Sequence, residues 1–219
     1  MPVDISNLKN LLAELKNHNA TLVAVSKKKS AEEIMEVYNA GHKIFGENYV
    51  QELKEKYESL PKDIEWHFIG HLQTNKVKVI APFVSLIQSV DSLKLLKEIN
   101  KEGQKNNHII NCLLQIHIAQ EETKFGLSFE EAEAILKSPE VKEMKNISIT
   151  GLMGMASLTE DQSKIRDEFR ILRNYRDRLR TPNSELRTLS MGMTSDYKIA
   201  LKEGSTMVRI GSAIFGERI

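Results

Sequence analysis

Thr21-Leu-Val-Ala-Val-Ser-Lys-Lys-Lys-Ser30-Ala-Glu-Glu-Ile-Met-Glu-Val-Tyr-Asn-Ala-Gly41-His-Lys-Ile-Phe45 contains one complete structural repeat. The apolar run Thr21 to Val25 reads as a strand buried on both faces, as strands of a parallel sheet are. Ser30 ahead of Ala-Glu-Glu has N-cap chemistry with an acidic first turn, and Gly41 stands where a helix-ending glycine belongs. Lys43 to Phe45 then opens a second strand, so the unit is strand, helix, strand.

The same alternation runs outward along the chain. Strands are expected at Thr21 to Val25, Lys43 to Phe45, Trp66 to Ile69, Val84 to Val90, Ile109 to Ile118, Ile147 to Met153, Leu186 to Ser190 and Met207 to Ile210. Helices are expected at Ser30 to Ala40, Asn48 to Leu60, Leu72 to Ile80, Ser92 to Asn106, Phe129 to Ser138, Glu160 to Arg180 and Asp196 to Glu203. Ser128 repeats the N-cap pattern, and Gly103 and Gly204 the terminating one. Repeated strand–helix–strand units need parallel pairing through right-handed crossovers, and about eight of them can close on themselves. The expected fold is an α/β (β/α)₈ TIM barrel, with an extra N-terminal helix from Ile5 to Leu15 assigned to the gap beside strand eight and nothing helical after the last strand.

A chain of 219 residues with 41% hydrophobic content suits one barrel domain, residues 1–219. Lys plus Arg total 31 against 30 for Asp plus Glu, a net charge of +1, which points away from nucleic acid and anionic membrane and towards a small-molecule partner. The arginines of Arg166 to Arg180 are interrupted by Asp167, Glu168 and Asp177 and read as a solvated face. The single cysteine, Cys112, lies in an apolar run, excludes an internal disulfide and suits a reducing compartment. With no signal-peptide core and no apolar run near the ~18 residues of a membrane span, the reading is a soluble, cytoplasmic protein. Ala119 to Thr123 and Thr181 to Ser184 read as loops.

Barrel enzymes carry their chemistry on loops after the C-terminal ends of the strands, often with phosphate after strands seven and eight. Lys27, Gly46-Glu47-Asn48, Gly70-His71, Gly192-Met193-Thr194 and Gly211-Ser212 all fall there. Lys27 offers an amine able to form an imine, helped by the charge of Lys28 and Lys29; the alternative is a solvated basic turn. Ser190 to Ser195 and Gly211-Ser212 offer hydroxyls, glycines and backbone N–H groups for a phosphate, or ordinary turn punctuation. Arg209, between Val208 and Ile210, points into the barrel, where its partner is either a cofactor ring nitrogen or a carboxylate. An aldehyde carrying a phosphate would satisfy both the amine and the loops. His67 lies on a strand and His71 beyond the Gly70 that follows it, so the two do not share a helical face, and no Cys or Glu completes a ligand set at a recognised spacing; no metal is expected.

Val25-Ser-Lys27, Phe45-Gly-Glu-Asn-Tyr-Val-Gln-Glu52, Trp66-His-Phe-Ile-Gly-His-Leu-Gln-Thr-Asn-Lys76, Thr123-Lys-Phe-Gly-Leu127, Gly151-Leu-Met-Gly-Met155, Leu189-Ser-Met-Gly-Met-Thr-Ser-Asp196 and Gly204-Ser-Thr-Met-Val-Arg-Ile-Gly-Ser-Ala-Ile-Phe-Gly216 together resemble the pyridoxal phosphate homeostasis protein family, the YggS/PROSC group. The resemblance implies a pyridoxal 5′-phosphate-binding barrel of the alanine racemase N-terminal type, lacking the racemase's second domain, with a role in vitamin B6 supply. It implies cofactor held as an aldimine on Lys27, phosphate contacts from Ser190, Gly192, Thr194, Gly211 and Ser212, a pyridine-nitrogen partner in Arg209, and ring-side positions at Asn48 and His67. His117 departs from the family's more frequent asparagine, and Thr194 stands where serine is frequent.

An arginine beside the pyridine nitrogen disfavours its protonation and weakens the ring as an electron sink, which favours a carrier over a catalyst. The expectation is therefore a non-catalytic, monomeric carrier of pyridoxal phosphate, with amino acids and cofactor-requiring apoenzymes as further partners. A pyridoxal-phosphate-dependent racemase, or an aldolase working on a sugar phosphate through the same lysine, are the contrasting readings.

Overall fold

The computed structural model describes residues 3–119, 125–180 and 186–216. Eight parallel strands close into a barrel in sequence order: β1 (Thr21–Val25), β2 (Ile44–Glu47), β3 (Glu65–Phe68), β4 (Leu86–Val90), β5 (Ile110–Ile116), β6 (Ile147–Gly154), β7 (Thr188–Ser190) and β8 (Met207–Ile210). Around it run α1 (Ile5–Asn17), α2 (Ala31–Asn39), α3 (Val50–Ser59), α4 (Val77–Ile80), α5 (Leu93–Lys105), α6 (Phe129–Lys137), α7 (Pro139–Lys142), α8 (Gln162–Leu179), α9 (Tyr197–Lys202) and α10 (Ser212–Phe215). The barrel expected from the alternation of apolar runs is present, and so is the leading helix.

Local chemistry explains most boundaries. Ser30 and Ser128 each form a full capping box, with Glu33 and Glu131 returning a carboxylate to the cap N–H. Gly41 and Gly204 take φ of 96° and 85° just beyond α2 and α9, a left-handed turn that glycine adopts without Cβ strain. Gly103 behaves differently from its expected role as a stop. It lies inside α5, where a Cβ would stand 2.7 Å from the Asn146 carbonyl oxygen, and Asn107 (φ 48°) makes the left-handed turn instead.

Two further expectations change. The segment Leu72 to Ile80 is helical only from Thr74, as a 3₁₀ turn leading into the short α4. A helix does follow the last strand: α10 packs against α1, with the Asp4 N–H donating to Ile214 O at 2.8 Å and Asn7 Nδ2 to Ala213 O at 2.6 Å. The Lys124 loop and the stretches from Gln120 and from Thr181 fall outside the described residues.

Alternation of side chains divides the apolar interior into two layers. The large shell between strands and helices holds Phe45, Trp66, Phe68, Ile87 and Phe169, all fully buried. A smaller cluster inside the barrel is formed by Val23, Leu86, Leu113, Met153 and Met207. Cys112 belongs to the outer shell, where burial pushes its thiol well above the ordinary range and leaves it unreactive at neutral pH. No helix among the described residues is long and apolar enough to cross a membrane.

β6 and β7 meet where Gly151 faces Thr188, and a Cβ on Gly151 would overlap the Thr188 carbonyl oxygen. Gly151→Ala should therefore lower unfolding free energy by about 3 kcal/mol, as backbone overpacking does, measured by urea denaturation.

Candidate functional site

The strands decide which side chains enter the barrel. Val23, inward in β1, is paired in register with Arg209, so Arg209 also points inward. Met153 and Met207, both inward, flank Ser190 in register, and inward Leu86 pairs with His67. The result is a polar layer beneath the C-terminal mouth.

That layer is one hydrogen-bonded chain. Arg209 Nη1 donates to Ser190 Oγ at 2.6 Å and Nη2 to the Gly154 carbonyl at 3.1 Å; Ser190 Oγ donates to Gln88 Oε1 at 2.7 Å; Gln88 Nε2 lies 3.1 Å from His67 Nδ1 and 3.2 Å from Met207 Sδ. Arg209 is 4% exposed, and burial draws its guanidinium down to about 10, partly offset by the charge of Asp196. It stays cationic at neutral pH. Burial, helped by His42, lowers His67 to about 4, so His67 is neutral and accepts from the Gln88 amide.

Above this layer opens a cavity of about 360 Å³, within the range of small-molecule sites. Lys27 enters it from the end of β1, Asn48 from β2, Thr194 and Ser195 from the loop after β7, and Gly211 and Ser212 from the end of β8, while Arg209 forms part of the floor. Val25, Ile69, Met155 and Met193 complete an apolar wall. Six of the nine sequence-derived site residues therefore share one cavity: Lys27, Asn48, Thr194, Arg209, Gly211 and Ser212.

His67, Ser190 and Gly192 do not line it. Ser190 is fully buried, and its hydroxyl bonds Gln88 and Arg209 as part of the floor. His67 likewise belongs to the floor. Gly192 has φ 97°, and a Cβ there would stand 2.6 Å from Ala200 Cβ, so glycine is required for packing the loop on α9. Its carbonyl accepts the Arg209 N–H at 2.9 Å. Ser195, the end of the Ser190 to Ser195 stretch read from the sequence, lines the cavity beside Thr194. Gln88 was missed, although a glutamine in the apolar strand Leu86–Val90 is the kind of buried polar residue that needs a partner.

The basic stretch after β1 is a turn in which Lys28 is exposed while Lys27 and Lys29 are partly buried. Lys28 takes φ 61°, and the Lys29 ammonium bonds Glu33 Oε1 at 3.2 Å and the Phe215 carbonyl at 2.8 Å. Among the described residues no group of three or more His, Cys, Asp or Glu is arranged to hold a metal ion. His71 pairs with Asp91 at 3.1 Å on the rim, well apart from the role of His67.

The cavity suits an anionic ligand that also carries an electrophile. Three hydroxyl-bearing residues, Thr194, Ser195 and Ser212, line it. The four-residue α10 begins there, and its own hydrogen bonds leave the N–H groups of Ser212 and Ala213 to other acceptors. A Cβ on Gly211 would reach within 3.1 Å of the Val25 carbonyl, so glycine keeps this strand end close to β1. Asn48 Oδ1 is buried without a protein partner among the described residues, an orphan acceptor at the cavity wall.

The alanine racemase N-terminal domain model matches residues 3–219. The pyridoxal phosphate homeostasis protein of Aquifex aeolicus is 44% identical over 91% of this chain and 87% of its own, and that of Homo sapiens 41% identical over 90% and 76%. PipY of Synechococcus elongatus, solved with pyridoxal phosphate bound, superposes with a TM-score of 0.87 at 32% identity, covering 97% of this chain and 99% of that one. The chain belongs to the pyridoxal phosphate homeostasis proteins, within the alanine racemase N-terminal domain family.

The neutral, buried His67 has a pH signature. The unfolded state takes up a proton near the ordinary 6.5, the native state only near 4, so stability is complete above pH 6.5 and is lost as pH falls through that window. Chemical denaturation across the window should show a loss of up to ~3 kcal/mol that His67→Gln reduces, and the His67 ring resonances should not titrate above pH 5.

Proposed function

We propose that this protein binds pyridoxal 5′-phosphate at the β1, β7 and β8 end of the barrel and serves vitamin B6 homeostasis as a carrier rather than as a catalyst. The observation that carries this reading is the single cavity shared by an amine, Lys27, and an anion-binding side built from Thr194, Ser195, Gly211 and Ser212. Its support outside the chain is the bound pyridoxal phosphate of PipY and the names of the curated relatives.

When bound, the cofactor supplies an aldehyde that condenses reversibly with a primary amine and releases water. Lys27 supplies that amine from the end of β1. The hydroxyls of Thr194, Ser195 and Ser212, with the first N–H groups of α10, hold the phosphate, and Gly211 gives it room against Val25. Arg209 faces the ring nitrogen and Asn48 supplies a ring-side polar group. A guanidinium that stays charged donates a hydrogen bond but gives up no proton, so the nitrogen it faces remains an acceptor, which restrains carbanion chemistry. His67, Gln88 and Ser190 act one layer below, fixing the guanidinium.

The buried, unreactive Cys112 suits a cytoplasmic carrier working as a monomer, with amino acids and cofactor-requiring apoenzymes as its partners. An open-mouthed site with an exchangeable amine linkage both buffers a reactive aldehyde and allows its transfer to another amine.

Purified protein given pyridoxal phosphate should develop an absorbance band near the visible edge. Lys27→Ala should abolish it, and borohydride reduction followed by peptide mapping should place the added mass on Lys27. Thr194→Ala and Ser212→Ala should each weaken cofactor binding by about tenfold, the worth of one hydrogen bond to a charged group, with the band itself retained at saturation.

A further inference from the structure

Behind the barrel wall, outside the cavity, a buried ionic cluster grips the chain on both sides of Lys27. Lys56, on α3, is 7% exposed. Its ammonium donates to the Ser26 carbonyl at 2.7 Å, to Glu47 Oε1 at 2.7 Å and to Glu52 Oε1 at 2.6 Å. The Ser26 hydroxyl donates to the same Glu47 oxygen at 2.6 Å. On the far side of Lys27, the Lys28 N–H donates to Glu52 Oε1 at 2.5 Å. Residues 26 and 28 are thus each tied to the cluster, and Lys27 stands between the two ties.

The arrangement is expensive to maintain. Glu47 is fully buried, one of its oxygens has no partner among the described residues, and desolvation pushes its carboxyl up against the opposing pull of Lys56. A buried ion cluster is commonly no more stable than apolar packing of the same volume, so stability alone does not account for it. The backbone it holds is also unusual: Lys28 is one of three non-glycine residues with positive φ among those described, a conformation that persists only where surrounding structure enforces it. Glu52 enforces it through the Lys28 N–H.

A lysine side chain is a flexible four-carbon stem, so the direction of its amine is set first by the backbone that launches it. We propose that the Glu47–Lys56–Glu52 cluster positions Lys27 for attack on the cofactor aldehyde, which makes Lys56 and Glu52 positioning residues. This rests on the assignment of Lys27 as the condensing amine. In that step the lone pair of the neutral Lys27 Nζ forms a bond to the aldehyde carbon. The carbonyl oxygen takes the two amine hydrogens and leaves as water, and a carbon–nitrogen double bond remains, with no change of oxidation state. The cluster touches none of these atoms. Its contribution is the launch angle of the stem, and small misplacements of reacting groups cost rate steeply.

The test separates capture of the ligand from condensation. Pyridoxine 5′-phosphate, which carries an alcohol in place of the aldehyde, reads the phosphate and ring contacts without the lysine, by calorimetry. Pyridoxal 5′-phosphate, followed by stopped-flow absorbance at saturating ligand, reads condensation. Glu52→Ala and Lys56→Met should condense about tenfold more slowly, equivalent to ~1.4 kcal/mol in the barrier, while binding the alcohol within about twofold of wild type. Glu52→Gln keeps an oxygen for the Lys28 N–H and should recover most of the rate.

Wild-type condensation rates in Glu52→Ala overturn the proposal, as does a parallel loss of alcohol binding and rate, which marks the cluster as scaffold only. The Glu52 side chain is 23% exposed, so Glu52→Ala carries the test even where Lys56→Met does not fold. A wild-type protein that binds the alcohol but never condenses with the aldehyde refutes the lysine assignment itself, and is told apart from failure of the positioning role by the wild-type trace alone.

Discussion

The seam between β1 and β8 is the interaction on which the site depends. Thr21, Leu22, Val23 and Ala24 pair in register with Met207, Val208, Arg209 and Ile210. Without that pairing the barrel has two open edges, and the amine after β1 has no relation to the glycine and hydroxyl of Gly211 and Ser212 after β8. With it, the loops carrying Lys27 and Gly211–Ser212 lie side by side. The same register turns Arg209 inward, because its partner Val23 is inward. Closure therefore sets position and side-chain direction together.

Closure also creates a dry interior that has to be reconciled with a cation. The solution is a relay in which every polar group answers its neighbour: Gly154 carbonyl and Ser190 hydroxyl for the guanidinium, Gln88 for the hydroxyl, His67 for the amide. Low dielectric makes an unmatched group costly here and a matched one strong. Against this fixed floor the outer cluster of Glu47, Lys56 and Glu52 does the corresponding work for the wall. Both devices lie one shell away from the cavity, and both act on a single charged side chain within it.

The fold was legible because each strand is a short apolar run closed by recognisable punctuation. Ser30 and Ser128 declared their helices through acidic residues three positions on, and Gly41 and Gly204 closed theirs. Gly103 misled because glycine serves two purposes, a left-handed turn or a close approach, and only the neighbouring Asn146 carbonyl distinguishes them. α10 escaped notice because four residues are too few for a helical period. Lys27, Thr194, Arg209, Gly211 and Ser212 were legible from strand ends and from inside–outside alternation. Ser190 and Gly192 fall in the same neighbourhood but do not line the cavity, since strand-end position does not say how far below the mouth a side chain lies. Gln88 and the Lys56 cluster needed three dimensions, as their partners come from separate elements.

The order of the chain along the seam also has a meaning in time. A ribosome delivers β1 first and β8 last, and domains assemble largely as units during and after synthesis. Until β8 is made, Lys27 has neither Arg209 nor Gly211–Ser212 beside it. The cavity lined by both Lys27 and Gly211–Ser212 comes into being only once β8 has joined β1, so a nascent chain that ends before β8 lacks it.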